Sequence, residues 1–477
     1  CGFGANTTGG NNVAVGRVSL DANTTGDKNT AIGNGTLSAS TGASYNTALG
    51  FEALALDTTG SNNVAAGYYA LRSNTTASEN TSMGVESLEA NTTGQQNCAF
   101  GFRALEDNNA DHNTAFGHES LKENTTGTEN VAVGANALQA NTTANYNTAV
   151  GYYAMVTNTT GERNVAVGSY AGDAVTTANW NVLVGYEAGT NMTTGNYNVA
   201  IGYQALEMCT TDTDNVAVGL RALEKNVQSN NTAVGNYALQ ENTTGQYNVA
   251  FGRSAGASIT TGDYNTAVGG LALDAQTTGD SNTAVGYIAL GKNTTGSGNV
   301  ALGKSAGQEN TTASSGTFLG FDAGGNVTTG DYNTLVGRSA GVGISDGTRN
   351  TIVGSVANDT GNGNDNTAVG YACLTGMSNG ANTNTCVGSS AGYSITSGGN
   401  NLLLGYNAGT SNSPGGTVNN ENNFVVLGNN DTTSLYCADT SISSSDSRDK
   451  TDITDFTKGL DWIKALRPIT YRWDKRT

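Results

Sequence analysis

The chain has 477 residues, of which 66 are Gly and only 2 Pro, with a formal net charge of −18 and 13% charged residues, against about 25% in ordinary globular chains. Low charge together with many β-branched residues excludes a disordered tail, which has the reverse composition, and no run of 18 apolar residues exists to span a bilayer as a helix. The charge is uneven: residues 1–444 hold 13 Lys+Arg against 33 Asp+Glu, a difference of −20, whereas residues 445–477 hold 8 and 6, a difference of +2. An acidic body of this kind repels phosphate backbones, which argues against nucleic acid as a partner.

The chain opens on Cys1, already inside a repeating pattern, and so reads as a fragment or processed form with any targeting signal out of view. From there one sentence is repeated. Aligned on the Asn of "NVAVG" or "NTAVG", 24 units start at Asn12, Asn29, Asn46 and so on to Asn384 and Asn401, with Gly316 in place of Asn once. The usual step is seventeen, with three steps of sixteen and one of eighteen, and the consensus is N-[TV]-A-[VF]-G-x-x-[AS]-[LG]-x-x-N-T-T-G-x-x. Positions 1–5 read as a short strand, positions 8 and 9 as a second apolar pair, and "NTTG" as a corner where Gly would supply a positive φ. So short a unit cannot bury a core alone, but stacked coils can. The pattern predicts an all-β fold, a parallel β-solenoid (β-roll) of about 24 coils, which at a strand spacing near 4.8 Å gives a rod of roughly 115 Å.

The repeats carry a test of that stacking. Position 3 is Ala in 17 of 24 coils and large at Leu183, Phe318, Leu335, Ile352 and Leu403; in each case position 9 of the preceding coil is Gly: Gly172, Gly307, Gly324, Gly341 and Gly392. Interiors conserve volume, so position 9 of one coil should pack near position 3 of the next. Gly189 before Ala200 and Gly256 before Ala267 break the rule and predict looser spots. Positions 2 and 4 are apolar as well as position 3, so the strand should be covered on both faces, and self-association about the long axis would cover the outer one. The pattern resembles the β-roll heads of trimeric autotransporter adhesins and the uniform repeats of phage tail fibres, and that resemblance implies a homotrimeric rod.

Side-chain chemistry along the shaft is sparse. Aromatics recur after the Gly (Tyr68, Tyr152, Tyr186, Tyr203, Tyr287, Tyr371, Tyr406) and before the Asn (Tyr146, Trp180, Tyr197, Tyr247, Tyr264, Tyr332), either as a sugar-stacking surface or, more simply, as a stacked ladder. His112 and His118 have no metal-like neighbourhood, the carboxylates Asp263, Asp280 and Asp331 lack calcium-roll spacing, and no carboxylate pair proposes glycan hydrolysis; no metal and no cofactor is expected. The six cysteines form no CxxC pair and read as small buried thiols. N-x-[ST] sequons include Asn6, Asn23, Asn74, Asn91, Asn124, Asn141, Asn158, Asn242, Asn293 and Asn310. These would be glycan sites in a secretory pathway, or turn and ladder asparagines whose sequon is incidental.

The period breaks near residue 411. We divide the chain into a shaft (1–410), a transition segment (411–444) with a short strand around Phe424–Leu427, and residues 445–477. The last segment carries S-D-x-R-x-K-x-D-I on Ser445, Asp446, Arg448, Lys450, Asp452 and Ile453, then a helix-like run with Leu460, Ile463 and Leu466. It resembles the start of the endosialidase-type intramolecular chaperone, a self-cleaving domain that ends many phage tail fibres and tailspikes. The resemblance implies a single-turnover Ser–Lys dyad, with Ser445 as nucleophile and Lys450 as its base, on a domain that trimerises, aligns the shaft and is cut away at or beside Ser445. A lysine can act so only when burial or like charge lowers its pKa, and Arg448 pushes that way. The family domain is much longer than the stretch from Ser445 to Thr477, which therefore predicts only its opening. Two owners fit: a phage tail fibre reaching a host receptor or surface glycan, at the virion surface, and an extracellular microbial filament or adhesin glycosylated on its turns. A polysaccharide-degrading tailspike is a weaker third, because coils so uniform leave little room for a cleft.

Overall fold

A computed structural model describes residues 4–378 and 380–434; all that follows concerns these. They form 25 three-residue strands, from β1 (Val13–Val15) to β24 (Leu402–Leu404) and β25 (Val425–Leu427), with no α-helix. Each strand pairs in parallel with the strands before and after it in the chain, in strict register, so that Ala48 lies beside Ala65 and Val165 beside Val182. The fold is a parallel β-solenoid of the repeat read from the sequence. The strand expected near Phe424 is β25, which pairs with β24 across a longer connection. The ladder contact survives there, Phe424 N–H donating to Asn401 Oδ1 at 2.9 Å. The C-terminal helical run lies outside the described residues.

The labelled strands are the best-aligned part of a ladder that runs round the whole coil. Leu54 N–H donates to the Ala70 carbonyl at 3.1 Å and Thr58 N–H to the Thr75 carbonyl at 2.9 Å. Identical positions therefore stack on one another, and each consensus residue has a repeated job. The position-1 asparagines are buried from Asn29 to Asn401. Asn46 donates its backbone N–H to Asn29 Oδ1 at 3.0 Å and its Nδ2 to the Gly60 carbonyl of its own coil at 2.8 Å, while its Oδ1 accepts Asn63 N–H at 2.9 Å. One side chain thus closes its coil and ties it to both neighbours. Two of the shortened steps are bridged by the same chemistry. Asn109 Oδ1 accepts Thr92 and Thr93 N–H, and Asn362 Oδ1 accepts Ser345 and Gly347 N–H, each standing in for a missing backbone carbonyl.

The interior is a file of small and branched residues at positions 3, 8 and 9, fully buried. The volume exchange expected from the sequence is present. A Cβ added at Gly172 would lie 2.5 Å from Leu183 Cδ1, and one at Gly307 2.8 Å from Phe318 Cδ2. The exchange also operates within a coil, which the sequence reading did not anticipate. Gly189 faces Leu183 Cδ2 at 2.9 Å, and Gly324 faces Phe318 Cδ1 at 2.5 Å. Phe318 is accommodated by three glycines, because Gly316, the one missing ladder asparagine, faces its Cζ at 2.5 Å. Neither expected loose spot exists: Leu183 fills the space at Gly189, and at Gly256 Ile259 Cδ1 and Leu239 Cδ2 come to 2.9 and 3.1 Å of a would-be Cβ.

The corner glycine is also corrected. Position 15 does not adopt a positive φ, and Ala occupies it at Ala43, Ala77, Ala144 and Ala178. The left-handed backbone sits instead at position 5, always Gly (φ 139° at Gly185), and at positions 7, 9 and 17, carried by ordinary residues such as Glu52, Leu54 and Asn62. At position 5 the need is double, since a Cβ on Gly185 would fall against the Gly202 carbonyl of the next coil. Backbone meeting backbone has no side chain to yield. We predict that Gly185→Ala costs about 2–3 kcal/mol, read as a lower denaturation midpoint, and that Gly127→Ala costs less, because its Cβ also meets a carbonyl, that of Ala144, but its φ is ordinary and other coils carry Ala at position 15; equal costs would disprove this division of roles.

Candidate functional site

Three longitudinal features result from stacking coils in register. The first is the outer face of the sheet. In each strand the middle residue is the most buried and its neighbours are half-buried or exposed, for example Leu49 at 50%, Phe116 at 56% and Phe251 at 59%. The outward residues are Val, Thr, Cys or Leu at position 2 and Val, Leu, Ile, Phe, Met or Ala at position 4, and on none of the 25 strands is either charged. On an acidic chain this is a continuous uncharged stripe from β1 to β25.

The second feature is aromatic. Trp180 stacks on Tyr197 (centroids 5.0 Å apart, planes at 4°), Tyr247 on Tyr264 (5.2 Å, 1°), and Tyr186 on Tyr203 (5.4 Å, 13°). Arg163 lies over both Tyr146 and Trp180, at 5.1 and 5.8 Å from their centroids. In these pairs the ring faces that meet are covered, whereas Tyr287, Tyr332, Tyr371 and Tyr406, 53–63% exposed, have no ring contact among the described residues. A sugar stacks on a ring face, so the paired rings form a ladder, while the four unpaired tyrosines keep open faces.

The third is polar and mostly structural. Asp263 and Asp280 accept the backbone N–H of the preceding coil's Gln246 and Asp263, at 2.7 and 2.8 Å, and Asp331 accepts that of Ser314 at 2.7 Å. Carboxylate oxygens of Glu86, Glu89 and Glu106 approach one another closely enough to surround a cation. However, Arg103 lies 2.7 Å from Glu86 and 3.8 Å from Glu106, with Arg72 and Lys122 each 3.9 Å from the cluster, so protein cations already occupy its field. His118 stacks on Phe102 at 5.2 Å.

The exposed sequon asparagines of the shaft include Asn6, and Asn191, Asn230 and Asn326, whose N-M-T, N-N-T and N-V-T the sequence reading passed over. Nine others, Asn23, Asn74, Asn91, Asn124, Asn141, Asn158, Asn242, Asn293 and Asn310, are all buried at 0% exposure. They form a second internal ladder at position 12. Asn141 Nδ2 donates to Asn124 Oδ1 at 2.8 Å and Asn158 Nδ2 to Asn141 Oδ1 at 3.0 Å, and Asn124 Nδ2 also donates to the Gly127 carbonyl at 2.8 Å. The amide that would carry a glycan is thus committed inside the folded coil. The ladder has one acid in it, which the sequence reading passed over although Asp stands out where other coils have Asn. Asp57 is buried, with Oδ1 accepting Gly60 N–H at 3.0 Å and Asn74 Nδ2 at 2.8 Å, while Oδ2 has no hydrogen-bond partner. Burial pushes its pKa up to about 7, against the opposing pull of those two donors.

Ser445, Asp446, Arg448, Lys450, Asp452 and Ile453 lie outside the described residues. Residues 445–477 match the family described as chaperone of endosialidase, and the matched segment begins at Ser445. No curated protein matches the chain. The organisation is therefore a long β-solenoid followed by an endosialidase-chaperone segment, and no helix among the described residues is long and apolar enough to cross a membrane.

Asp57 makes the shaft's stability depend on pH. Its folded pKa lies above that of an unfolded Asp, so its favourable contribution is complete below about pH 4 and lost as pH rises through about 7, on the order of a few kcal/mol locally. Asp57→Asn, restoring the ladder residue, should raise the melting midpoint at pH 8 and leave it little changed at pH 4. A wild-type shaft whose midpoint is flat from pH 4 to 8 would remove Asp57 from this role.

Proposed function

We propose that the chain is the structural shaft of an extracellular fibre of the phage tail-fibre kind, assembled as a homotrimer under a C-terminal chaperone that then cuts itself away. The observation that carries this reading is the chaperone match beginning at Ser445, shortly after a solenoid of 25 paired strands. The geometry supports a passive spacer. Identical coils set a length, many of the aromatic rings stack on one another, and Asp263, Asp280, Asp331 and the Glu86 cluster are occupied by backbone amides or by Arg and Lys. Location at a virion surface, and a host receptor or surface glycan as the distal target, follow from the chaperone resemblance.

The partner along the shaft is further copies of this chain. A strip free of charge over 25 strands needs a cover that is equally long and uncharged, with the same repeat, and a second copy offers that stripe to the first. Half-exposed Val, Ile, Leu and Phe on it each gain on the order of 1 kcal/mol from even partial burial, summed over the whole length.

Cleavage would use Ser445 and Lys450. Ser445 Oγ attacks the carbonyl carbon of the scissile bond while its proton passes to Lys450 Nζ. That proton then goes to the departing amine, and water hydrolyses the acyl ester. Loss of the template leaves a shaft that unfolds without a ready route back, a kinetic form of stability.

The glycosylated filament loses the nine interior asparagines and would have to carry its sugars on exposed sequons such as Asn6, Asn191 and Asn326. An intact mass of the protein from its native source, beside a full-length recombinant form carrying Ser445→Ala, tests the cleavage. A native chain ending near Ser445, with the Ala form uncut, is expected; a native chain running past Trp473 rules out the dyad. For association, light scattering should give three chain masses for the shaft, and Phe251→Glu should lower that number while leaving the β-sheet circular dichroism unchanged. Unaltered trimers in Phe251→Glu would show that the stripe is not the interface.

A further inference from the structure

The six cysteines were read as unconnected small thiols, yet two of them meet in the interior. Cys373 occupies position 8 of its coil and Cys386 position 3 of the next, and both are fully buried. Cys373 is the one cysteine at position 8 and Cys386 the one at position 3 among the 24 coils. The Cys373 thiol donates to the Cys386 carbonyl at 3.2 Å. The contact between these positions is general, since Ser19 Oγ at position 8 donates to the Ala31 carbonyl at position 3 of the next coil at 3.0 Å. Within one coil the side chains at these positions also touch, Ser82 Oγ lying 2.5 Å from Ser87 Oγ. On its other side Cys386 Sγ is closed in by Gly392, where a Cβ would stand 2.6 Å away.

The place is also distinctive. The step from Asn350 to Asn366 is one short of the usual spacing and the step from Asn366 to Asn384 is one over, the one point where a short coil is followed by a long one. The two other short steps, Asn97 to Asn113 and Asn215 to Asn231, each return at once to the usual spacing; here the backbone changes length twice in succession. The Cys373 sulfur already touches the Cys386 backbone, the kind of closeness a disulfide needs.

We propose that Cys373 and Cys386 form a disulfide that staples these two coils together. In forming it each thiol loses its proton, the S–S bond takes the place of two S–H bonds, and the two electrons pass to an oxidising disulfide, which is reduced to two thiols. The exchange proceeds through a mixed disulfide on one cysteine, displaced by the thiolate of the other. In the closed interior the hydrogen bond from Cys373 and burial both push the Cys386 thiol up. The nucleophilic thiolate is therefore scarce once the coil has closed, and bridging belongs to the stage at which these coils are still closing. The inference does not rest on the fibre reading, and it holds for any protein built on this shaft that folds where disulfide oxidants are present.

The test uses the full chain secreted into an oxidising compartment, with free thiols capped by iodoacetamide in denaturant without reductant, followed by peptide mapping. A peptide joining Cys373 to Cys386, two hydrogens lighter than the reduced pair, is expected at least about tenfold above any other cysteine pairing, because the fold holds these two at high effective concentration. The same chain reduced, denatured and oxidised with glutathione disulfide in denaturant should lose that preference. Recovery of both cysteines as capped thiols, or the same pairing frequencies in denaturant, would overturn the proposal. Cys373→Ala gives a second readout independent of the first: Cys386 should then be recovered capped, and finding it bridged to another cysteine would equally sink the assignment. In the wild type, reduction should speed proteolysis between the two coils, whereas the Cys373→Ala chain should be cut at one rate with or without reductant.

Discussion

The rest of the structure depends on the carboxamide of the position-1 asparagine. So short a coil encloses so little volume that its backbone corners are buried with it, and buried amides and carbonyls must be paired. Asparagine has the donor and acceptor geometry to serve its own coil and the next at once, as Asn46 does with Gly60 and Asn63. Because that Oδ1 must meet the same backbone N–H one coil on, the period is held almost constant along the shaft. The neighbouring positions follow from this spacing. Position 5 must be glycine because the next carbonyl stands against it, and position 9 is in most coils leucine or glycine according to what positions 3 and 12 have taken.

Departures from the repeat show how strongly stacking constrains the chain. Where a corner is one residue short, Asn109 or Asn362 turns its side-chain oxygen toward amides that would otherwise lack a carbonyl. Where the core takes a ring, at Phe318, the chain gives up a ladder asparagine and two leucines to three glycines at once. Asp57 is a different kind of departure, keeping the ladder acceptor but losing a donor, so that its second oxygen is left unpaired unless it carries a proton.

Much of this was legible in the chain itself. The period, the strand and the exchange between positions 3 and 9 are visible because volume conservation acts between residues whose spacing is fixed. The chaperone segment was legible because six positions in nine, Ser445 to Ile453, fit its signature. What was hidden depends on closure of the coil. Glycine at position 9 is accompanied by an apolar residue at position 12 in Gly172/Val175, Gly189/Met192, Gly256/Ile259, Gly324/Val327, Gly341/Ile344 and Gly392/Ile395. That second exchange was available in the sequence, but nothing in a linear reading says that position 12 points inward. The same ignorance left the sequons open: N-T-T reads as an exposed turn or a buried ladder until the direction of its first side chain is known.

Within one chain, register is not a problem, because each coil can pair only with the coils that covalently precede and follow it. The ladder asparagines do not need to distinguish one neighbour from another. Between chains the situation is reversed. The outward stripe is Thr or Val beside Val, Leu, Ile or Phe on nearly every coil, so a copy displaced by one repeat would meet almost the same surface as a copy in step. The free-energy difference between aligned and slipped copies then comes from the few coils left unpaired at the ends and from isolated exceptions such as Phe251 or Ala66, a small fraction of the total association energy. Such an interface supplies affinity without alignment. A shaft of this uniformity that associates along its length needs an aligning element outside itself. A segment matching a folding chaperone, placed where the repeats end, meets that need, and its removal would cost the finished fibre none of the contacts that hold the coils together.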